Sequence, residues 1–186
     1  MTVIDERSDA RFASFARLAF WTTVALYAAL AVWLLVAGPP EVVGHFGAND
    51  GGPRFDPTPV FVGYMTLIVA VLVGIFVSVA PFARRIPIEF VNVPNRELWE
   101  TPERRIILAR RISADMYLMG AVTMLLMIAM VLASTLGGLG TTVPETFFVV
   151  MTTAYMVILG VIVLTMFRGD RYNPRALDDE PGFATP

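Results

Sequence analysis

The stretch from Phe82 to Ser113 reads FARRIPIEFVNVPNRELWETPERRIILARRIS and is the longest polar interruption between the hydrophobic runs of this chain. It contains seven of the fourteen arginines, and the chain has no lysine. Elsewhere the chain is strongly apolar: 56% of its 186 residues are hydrophobic and 16% are charged, whereas about 25% of residues are charged in soluble domains. We therefore expect an all-α integral membrane protein, and we call residues 82–113 the elbow.

Four hydrophobic runs predict four transmembrane helices, at about 18–38, 59–81, 114–137 and 145–167. About 20 apolar residues are enough to cross a hydrocarbon core of about 30 Å. The connections are an N-terminal segment (1–17), a loop (39–58), the elbow, and a tail (168–186). Phe12 and Phe15 suggest that the N-terminal segment forms a short interfacial helix, and the loop has the composition of several tight turns.

The distribution of arginine predicts the orientation of these helices. The elbow has seven arginines, the loop at 39–58 has one and the loop at 138–144 has none. Because arginine-rich connections stay in the cytoplasm, both termini and the elbow are expected there. Thr101, Pro102 and Glu103 form a good helix start. We expect one helix from Pro102 to about Gly137, about 54 Å long, which would extend into the cytoplasm. The preceding IPIEFVNV is β-prone.

The polar residues of the loop at 39–58 form one candidate site. His45, the only histidine, lies there with Asp50 and Asp56, and together they could bind an extracytoplasmic ligand or a cation. The alternative is that these residues serve only turn chemistry. The chain has no cysteine, and no nucleophile–base pair is visible. We therefore expect no catalytic residue, no resident metal and no cofactor.

Three features of the predicted spans concern packing or transport. Ala70, Gly74 and Ser78 recur at every fourth position, which predicts the tightest helix contact of the bundle. Asp115 could mark an ion pathway, but it lies four residues after Arg111, which favours an interfacial ion pair. The methionines of the third span could bind Cu(I); adaptable packing is the preferred interpretation.

The elbow is the second candidate site. Its arginines, diluted by four glutamates to a net charge of +3, could bind anionic lipid headgroups. They could equally form a surface for a protein partner, with Trp99 and Phe90 as its apolar anchors. The residues expected to contact a partner or lipid are Trp99, Arg96, Arg104, Arg105, Arg110 and Arg111.

The run from Asn92 to Arg104, NVPNRELWETPER, resembles a motif of an uncharacterised bacterial family of multi-pass membrane proteins, N-[IV]-P-N-x-x-x-W-x-x-P-E-R. That family is distantly related to the N-terminal region of sporulation-delaying toxin immunity proteins. The loop from Pro40 to Phe46 is similar to the family's Pro-x-x-x-x-His-Phe loop, with Val43 where proline is usual. The resemblance spans residues 20–137 and implies a helical membrane fold without an established activity.

From these observations we expect a non-catalytic accessory subunit of a larger cell-envelope complex in the bacterial plasma membrane. A multi-subunit lipid transport system would be one such complex. The alternative is a sensor or immunity-type protein that binds an extracellular ligand through the 39–58 loop. An enzyme acting on lipids is the third and least favoured class. The net charge of −2 argues against a nucleic-acid partner,.

Overall fold

The computed structural model describes residues 6–46, 52–91, 93, 96–168 and 172. Within these residues it contains four long helices, a two-stranded sheet and two 3-10 turns. In chain order they are α1 (Glu6–Ala37), β1 (Glu41–His45), β2 (Arg54–Pro57), α2 (Thr58–Arg85), the 3-10 turns Ile88–Phe90 and Arg96–Trp99, α3 (Pro102–Gly138) and α4 (Glu145–Arg168). All four helices are long and apolar enough to cross a membrane. The prediction of a helical multi-pass membrane protein is confirmed.

The first two helices are longer than the sequence predicts. No glycine or proline interrupts α1, so the expected interfacial helix and the first span form one helix of 32 residues. It is about 48 Å long, which exceeds the hydrocarbon thickness. α2 continues through Pro81 to Arg85, and the backbone N–H of Ile86 still donates to the carbonyl of Phe82 at 2.9 Å. The helix therefore extends about one turn beyond the predicted span of about 59–81.

The helix start predicted at Thr101 and Pro102 is present in the second half of the elbow, whereas the first half does not form the strand that its β-prone sequence favours. α3 is a single helix of 37 residues that begins at Pro102, and the Thr101 hydroxyl caps it by accepting from the backbone N–H of Arg104 at 3.4 Å. The β-prone run instead contains a 3-10 turn at Ile88–Phe90, closed by a bond of 3.0 Å from the Val91 N–H to the Ile88 carbonyl. No partner strand lies beside it among the described residues.

The core is formed by α1, α2 and α3. Phe20, Tyr27 and Leu34 follow one face of α1, and Met124 and Val131 meet them from α3. Met124 is fully buried, as expected of a methionine used for packing,. α4 packs mainly on α3, and only 6% of its most apolar stretch is buried, compared with 33% for α3.

The small residues of α2 do not form the tightest helix contact within this chain. Ala70, Gly74 and Ser78 are all exposed, and a Cβ added to Gly74 would meet nothing within 4 Å. The close approach occurs at Gly120 of α3, where an added Cβ would lie 2.7 Å from the ring of Phe20. The prediction fails because the contacts of α2 run along Phe61, Met65 and Val69, on another face of the helix.

The loop between α1 and α2 is built around a β-hairpin that the sequence did not predict. β1 and β2 pair antiparallel, with Val43 opposite Phe55. The hairpin rests on the C-terminal end of α3, where a Cβ on Gly137 would lie 2.6 Å from Val43 and a Cβ on Gly138 would lie 2.4 Å from the carbonyl oxygen of Glu41. We call this end of the bundle the hairpin end and the opposite end the elbow end.

Candidate interaction site at the elbow

A second apolar core, separate from the one in the bundle, lies under the elbow. Trp99 is its centre and is fully buried, with Ile88 from the first 3-10 turn, and Ile107 and Leu108 from α3. Tyr172, which lies four residues beyond α4, completes it and is 3% exposed. Four segments of the chain therefore meet around one indole ring.

Buried charges lie beside this core. The guanidinium of Arg111, on α3, donates from Nε to Asp9 Oδ2 of α1 at 2.7 Å. The Arg111 side chain is 3% exposed and that of Asp9 is 15% exposed. The same guanidinium lies over the ring of Trp99, 6.0 Å from its centroid, at the outer limit of a cation–π contact. One arginine therefore joins α1 to the elbow.

Asp115 lies one helical turn after Arg111 and is also buried, at 3% exposure. Its Oδ2 accepts a hydrogen bond from the hydroxyl of Tyr172. A buried carboxylate is costly unless hydrogen bonds satisfy it, so this contact holds Tyr172 against α3. The sequence predicts Asp115 as a partner for an arginine, and it does not predict the contact with Tyr172.

The indole Nε1 of Trp99 is the exception to this pattern of satisfied groups. It is buried and has no hydrogen-bond partner among the described residues. An unsatisfied buried donor costs about 1–3 kcal/mol, so the burial of the large ring among apolar side chains must outweigh that cost. Trp99 is therefore part of the folded core of the elbow.

The structure separates the predicted contact residues into three groups by burial. Trp99 and Arg111 are buried, so their prediction as surface contacts is wrong, because folding of the elbow already uses them. Arg104 and Arg105 are half-buried, and Arg105 donates to the backbone carbonyl of Ile86. Arg96 and Arg110 are exposed, as the prediction requires.

Further exposed residues extend this outer surface. Phe90 is 74% exposed and Phe82 is 62% exposed, and Arg85 is exposed at the end of α2. The elbow thus combines a folded interior with an outer side on which arginine, phenylalanine and glutamate side chains are exposed, among them Glu89 and Glu97. We call Arg85, Phe90 and Arg96 the elbow surface.

The hairpin carries the other predicted site. His45 is exposed and pairs in register with Arg54. Asp56 forms an ion pair of 3.3 Å with Arg54 and accepts from the Tyr64 hydroxyl at 3.4 Å. Its carboxylate also occupies the space where a Cβ on Gly44 would be, so Asp56 helps to hold the hairpin. Asp50 lies outside the described residues.

A cavity of about 430 Å³ lies beside the hairpin, between it and the α3–α4 connection. Val43, Phe46, Phe55 and Phe148 line it, and Glu145 is the one acidic residue among the described lining residues. Among the residues that the structure describes, no three side chains of His, Cys, Asp or Glu gather as a metal site would require.

Comparison of the chain with protein-family models, with curated proteins and with solved structures finds no match. The resemblance of the run from Asn92 to Arg104 therefore remains a prediction. Part of that motif, Asn92, Pro94 and Asn95, lies outside the described residues, while its tryptophan is the buried Trp99.

The sequence did not predict two of the polar partners at the elbow end, Asp9 and Tyr172. Each lies in a polar terminal segment, and their contacts join residues 102 and 57 positions apart. One weak signal exists: Asp9 precedes a helical run that has Phe12 and Ala16 on the same face. No comparable pattern surrounds Tyr172.

Proposed function

We propose that the protein is a non-catalytic accessory subunit of a larger bacterial cell-envelope complex, held in the plasma membrane with the elbow and both termini on the cytoplasmic side. The arginine distribution supports this orientation, because seven arginines lie in the elbow,. A multi-subunit lipid transport system would be one such complex. Membership in the bacterial family that the elbow motif resembles belongs to the same proposal.

The observation that carries the proposal is the construction of the elbow. Its interior is held by Trp99 and by the ion pair of Arg111, so its exposed residues sit on a fixed scaffold. Phe90 is 74% exposed, and an exposed aromatic side chain on a fixed scaffold is typical of an interface anchor. Arg85 and Arg96 of the same segment are also exposed, as are Glu89 and Glu97. A partner with an apolar pocket for Phe90 and carboxylates for the two arginines would fit this elbow surface.

The membrane-facing helices also leave room for neighbours. An apolar groove of about 440 Å³ lies between α1 and α2 and is lined by small residues such as Ala31 and Ala70. Gly74 lies one turn beyond Ala70, and its outer side is open. Because small residues let helix backbones approach closely in a membrane, a helix of another subunit could pack here.

The proposal is tested by isolating tagged protein from native membranes of the host bacterium in mild detergent and identifying what co-purifies. We expect membrane proteins in near-stoichiometric amount with the wild type. Phe90→Asp combined with Arg96→Glu should remove them, because both side chains are exposed on the elbow surface. Arg54→Glu, on the exposed hairpin, is the control and should retain them. Recovery of the protein alone would contradict the proposal.

A sensor or immunity-type protein is the second candidate. The cavity of about 430 Å³ beside the hairpin favours it, because three phenylalanines line a concave site there,. Under this alternative, His45→Ala or Phe46→Ala should abolish the response to an extracellular ligand and leave co-purification unchanged. Under the accessory-subunit proposal His45→Ala has no effect.

A further inference from the structure

A polar cavity of about 290 Å³ lies between α1 and α3 at the elbow end. α1 contributes Ser14 and Arg17 to its lining, and α3 contributes Arg110, Ser113 and Tyr117. Of these residues, only Arg110 is among the predicted contact arginines, and the elbow surface shares none of them. The cavity is thus a separate site.

The charge of the cavity is positive and uncompensated. No aspartate or glutamate is among the described residues that line it. Within the part of the chain that the structure describes, neither Arg17 nor Arg110 has an ion pair or a side-chain hydrogen bond. This contrasts with Arg111, which is the next residue along α3 and binds Asp9. Two guanidinium groups therefore face one cavity in which no described carboxylate neutralises them.

The remaining lining groups suit a phosphate. The Ser113 hydroxyl already donates to the carbonyl of Ala109 at 2.6 Å, so this side chain only borders the site. The Ser14 hydroxyl supplies a donor, and arginine binds phosphate oxygens through its planar fork. α1 and α3 form the most extensive helix contact of the bundle, so the two arginines are held on a rigid pair of helices.

The position of the cavity indicates where that phosphate comes from. Arg17 immediately precedes the first apolar run, and Leu18 is 68% exposed beside it. Trp21, 46% exposed, follows one turn later, and exposed tryptophans favour the headgroup level of a membrane. A phosphate bound by Arg17 and Arg110 would therefore lie at headgroup depth, with apolar surface directly beneath it for an acyl chain.

We propose that this cavity binds the phosphate group of an anionic membrane phospholipid. Arg17 and Arg110 hold the phosphate from two helices, and Ser14 and Ser113 border it. The site needs no protein partner, so it goes beyond the accessory-subunit role and stands if that role fails.

The test is native mass spectrometry of the purified full chain in neutral detergent, titrated with phosphatidylglycerol or phosphatidylcholine of the same acyl chains. We expect the wild type to retain phosphatidylglycerol preferentially. Arg17→Gln and Arg110→Gln should each lower that preference about fivefold, and the double variant about 30-fold, since each basic residue near a membrane surface contributes about 1 kcal/mol. Arg85→Gln combined with Arg96→Gln removes the same charge from the elbow surface, outside the cavity, and should change that preference less than twofold.

Two further measurements distinguish binding in the cavity from diffuse attraction to the positive elbow and from binding of free phosphate. Ser14→Glu, a change at an exposed position, places a carboxylate in the cavity and should abolish the preference without removing an arginine. Inorganic phosphate at the concentration of the lipid should displace little phosphatidylglycerol, because it lacks the acyl chains. The proposal is overturned if the double arginine variant keeps the wild-type preference, if the control variant loses as much, or if inorganic phosphate displaces the lipid completely.

Discussion

At the elbow end, segments far apart in the chain meet through buried charges, whereas at the hairpin end two short strands rest on the glycines of α3. Arg111 joins α3 to Asp9 of α1, and Asp115 joins α3 to Tyr172. At the hairpin end, Gly137 and Gly138 provide the space for Val43 and for the backbone of Glu41. The difference between the two ends shows that polar residues that look like a binding surface can serve to fold the protein.

The two ends should therefore respond to different substitutions. A buried charge network loses most when one charge is left without its partner. A contact made through glycine loses most when a side chain is added. Four substitutions, taken from the largest expected effect to the smallest, test this difference.

Arg111→Ala should have the largest effect. It leaves the carboxylate of Asp9 without the guanidinium that it contacts at 2.7 Å and removes the group over Trp99. Loss of one partner of a buried ion pair costs about 3–5 kcal/mol. Arg110→Ala is the control, because the side chain is exposed, and it should change stability by less than about 0.5 kcal/mol. Denaturation in detergent measures both, and equal losses would show that the ion pair does not stabilise the elbow end.

Gly138→Ala should break the hairpin end. Its Cβ would lie 2.4 Å from the carbonyl oxygen of Glu41, so the hairpin must move, at a cost of about 1–3 kcal/mol. Gly160→Ala is the matched control, since nothing lies within 4 Å of the added Cβ. Limited proteolysis within β1 and β2 should accelerate only in Gly138→Ala. An unchanged cleavage rate would show that the hairpin does not depend on this glycine.

Tyr172→Phe should have an intermediate effect at the elbow end. It removes the hydroxyl that donates to the buried Asp115 and should lower the unfolding free energy by about 1–3 kcal/mol. Tyr155→Phe is the comparison, because the Tyr155 hydroxyl is 3.2 Å from that of Thr123 between α4 and α3. Such hydrogen bonds between membrane helices average about 0.6 kcal/mol. A smaller loss for Tyr172→Phe than for Tyr155→Phe, both measured by denaturation in detergent, would argue against the elbow contact.

Gly74→Ala should have the smallest effect on the isolated chain. The added methyl group meets nothing within 4 Å, so the unfolding free energy in detergent should change by less than about 1 kcal/mol, in the stabilising direction expected for glycine to alanine in a helix. Gly120→Ala should be destabilising, because the added Cβ would lie 2.7 Å from the ring of Phe20. Destabilisation by Gly74→Ala would show that the small residues of α2 do pack against another helix of this chain.

The helices of this fold could be predicted from the sequence because hydrophobic length and helix starts are local signals. The run that begins at Thr101 and Pro102 forms the single α3 that its start signal predicts. The hairpin could not be predicted, because its strands are only five and four residues long. Its support comes from Gly137 and Gly138, which are far away in the chain.

The site was predictable only in part, since residue type does not reveal burial. Arg110 and Arg111 are adjacent and identical in the sequence, yet one is exposed and the other is 3% exposed. The helical rotation of about 100° between neighbours turns Arg111 toward Asp9 and leaves Arg110 facing the polar cavity. That difference depends on where α1 packs, which composition cannot supply.

The coupling of α1 to the elbow through Asp9 and Arg111 is the central feature of this structure. A double-mutant cycle of Asp9→Asn and Arg111→Gln, followed by unfolding in detergent, measures that coupling. We predict a coupling free energy of about 0.5–3 kcal/mol, as found for residues that share a salt-bridge network. Additive losses, within about 0.3–0.5 kcal/mol of the sum, would contradict it and would return Arg111 to the contact surface that the sequence predicts.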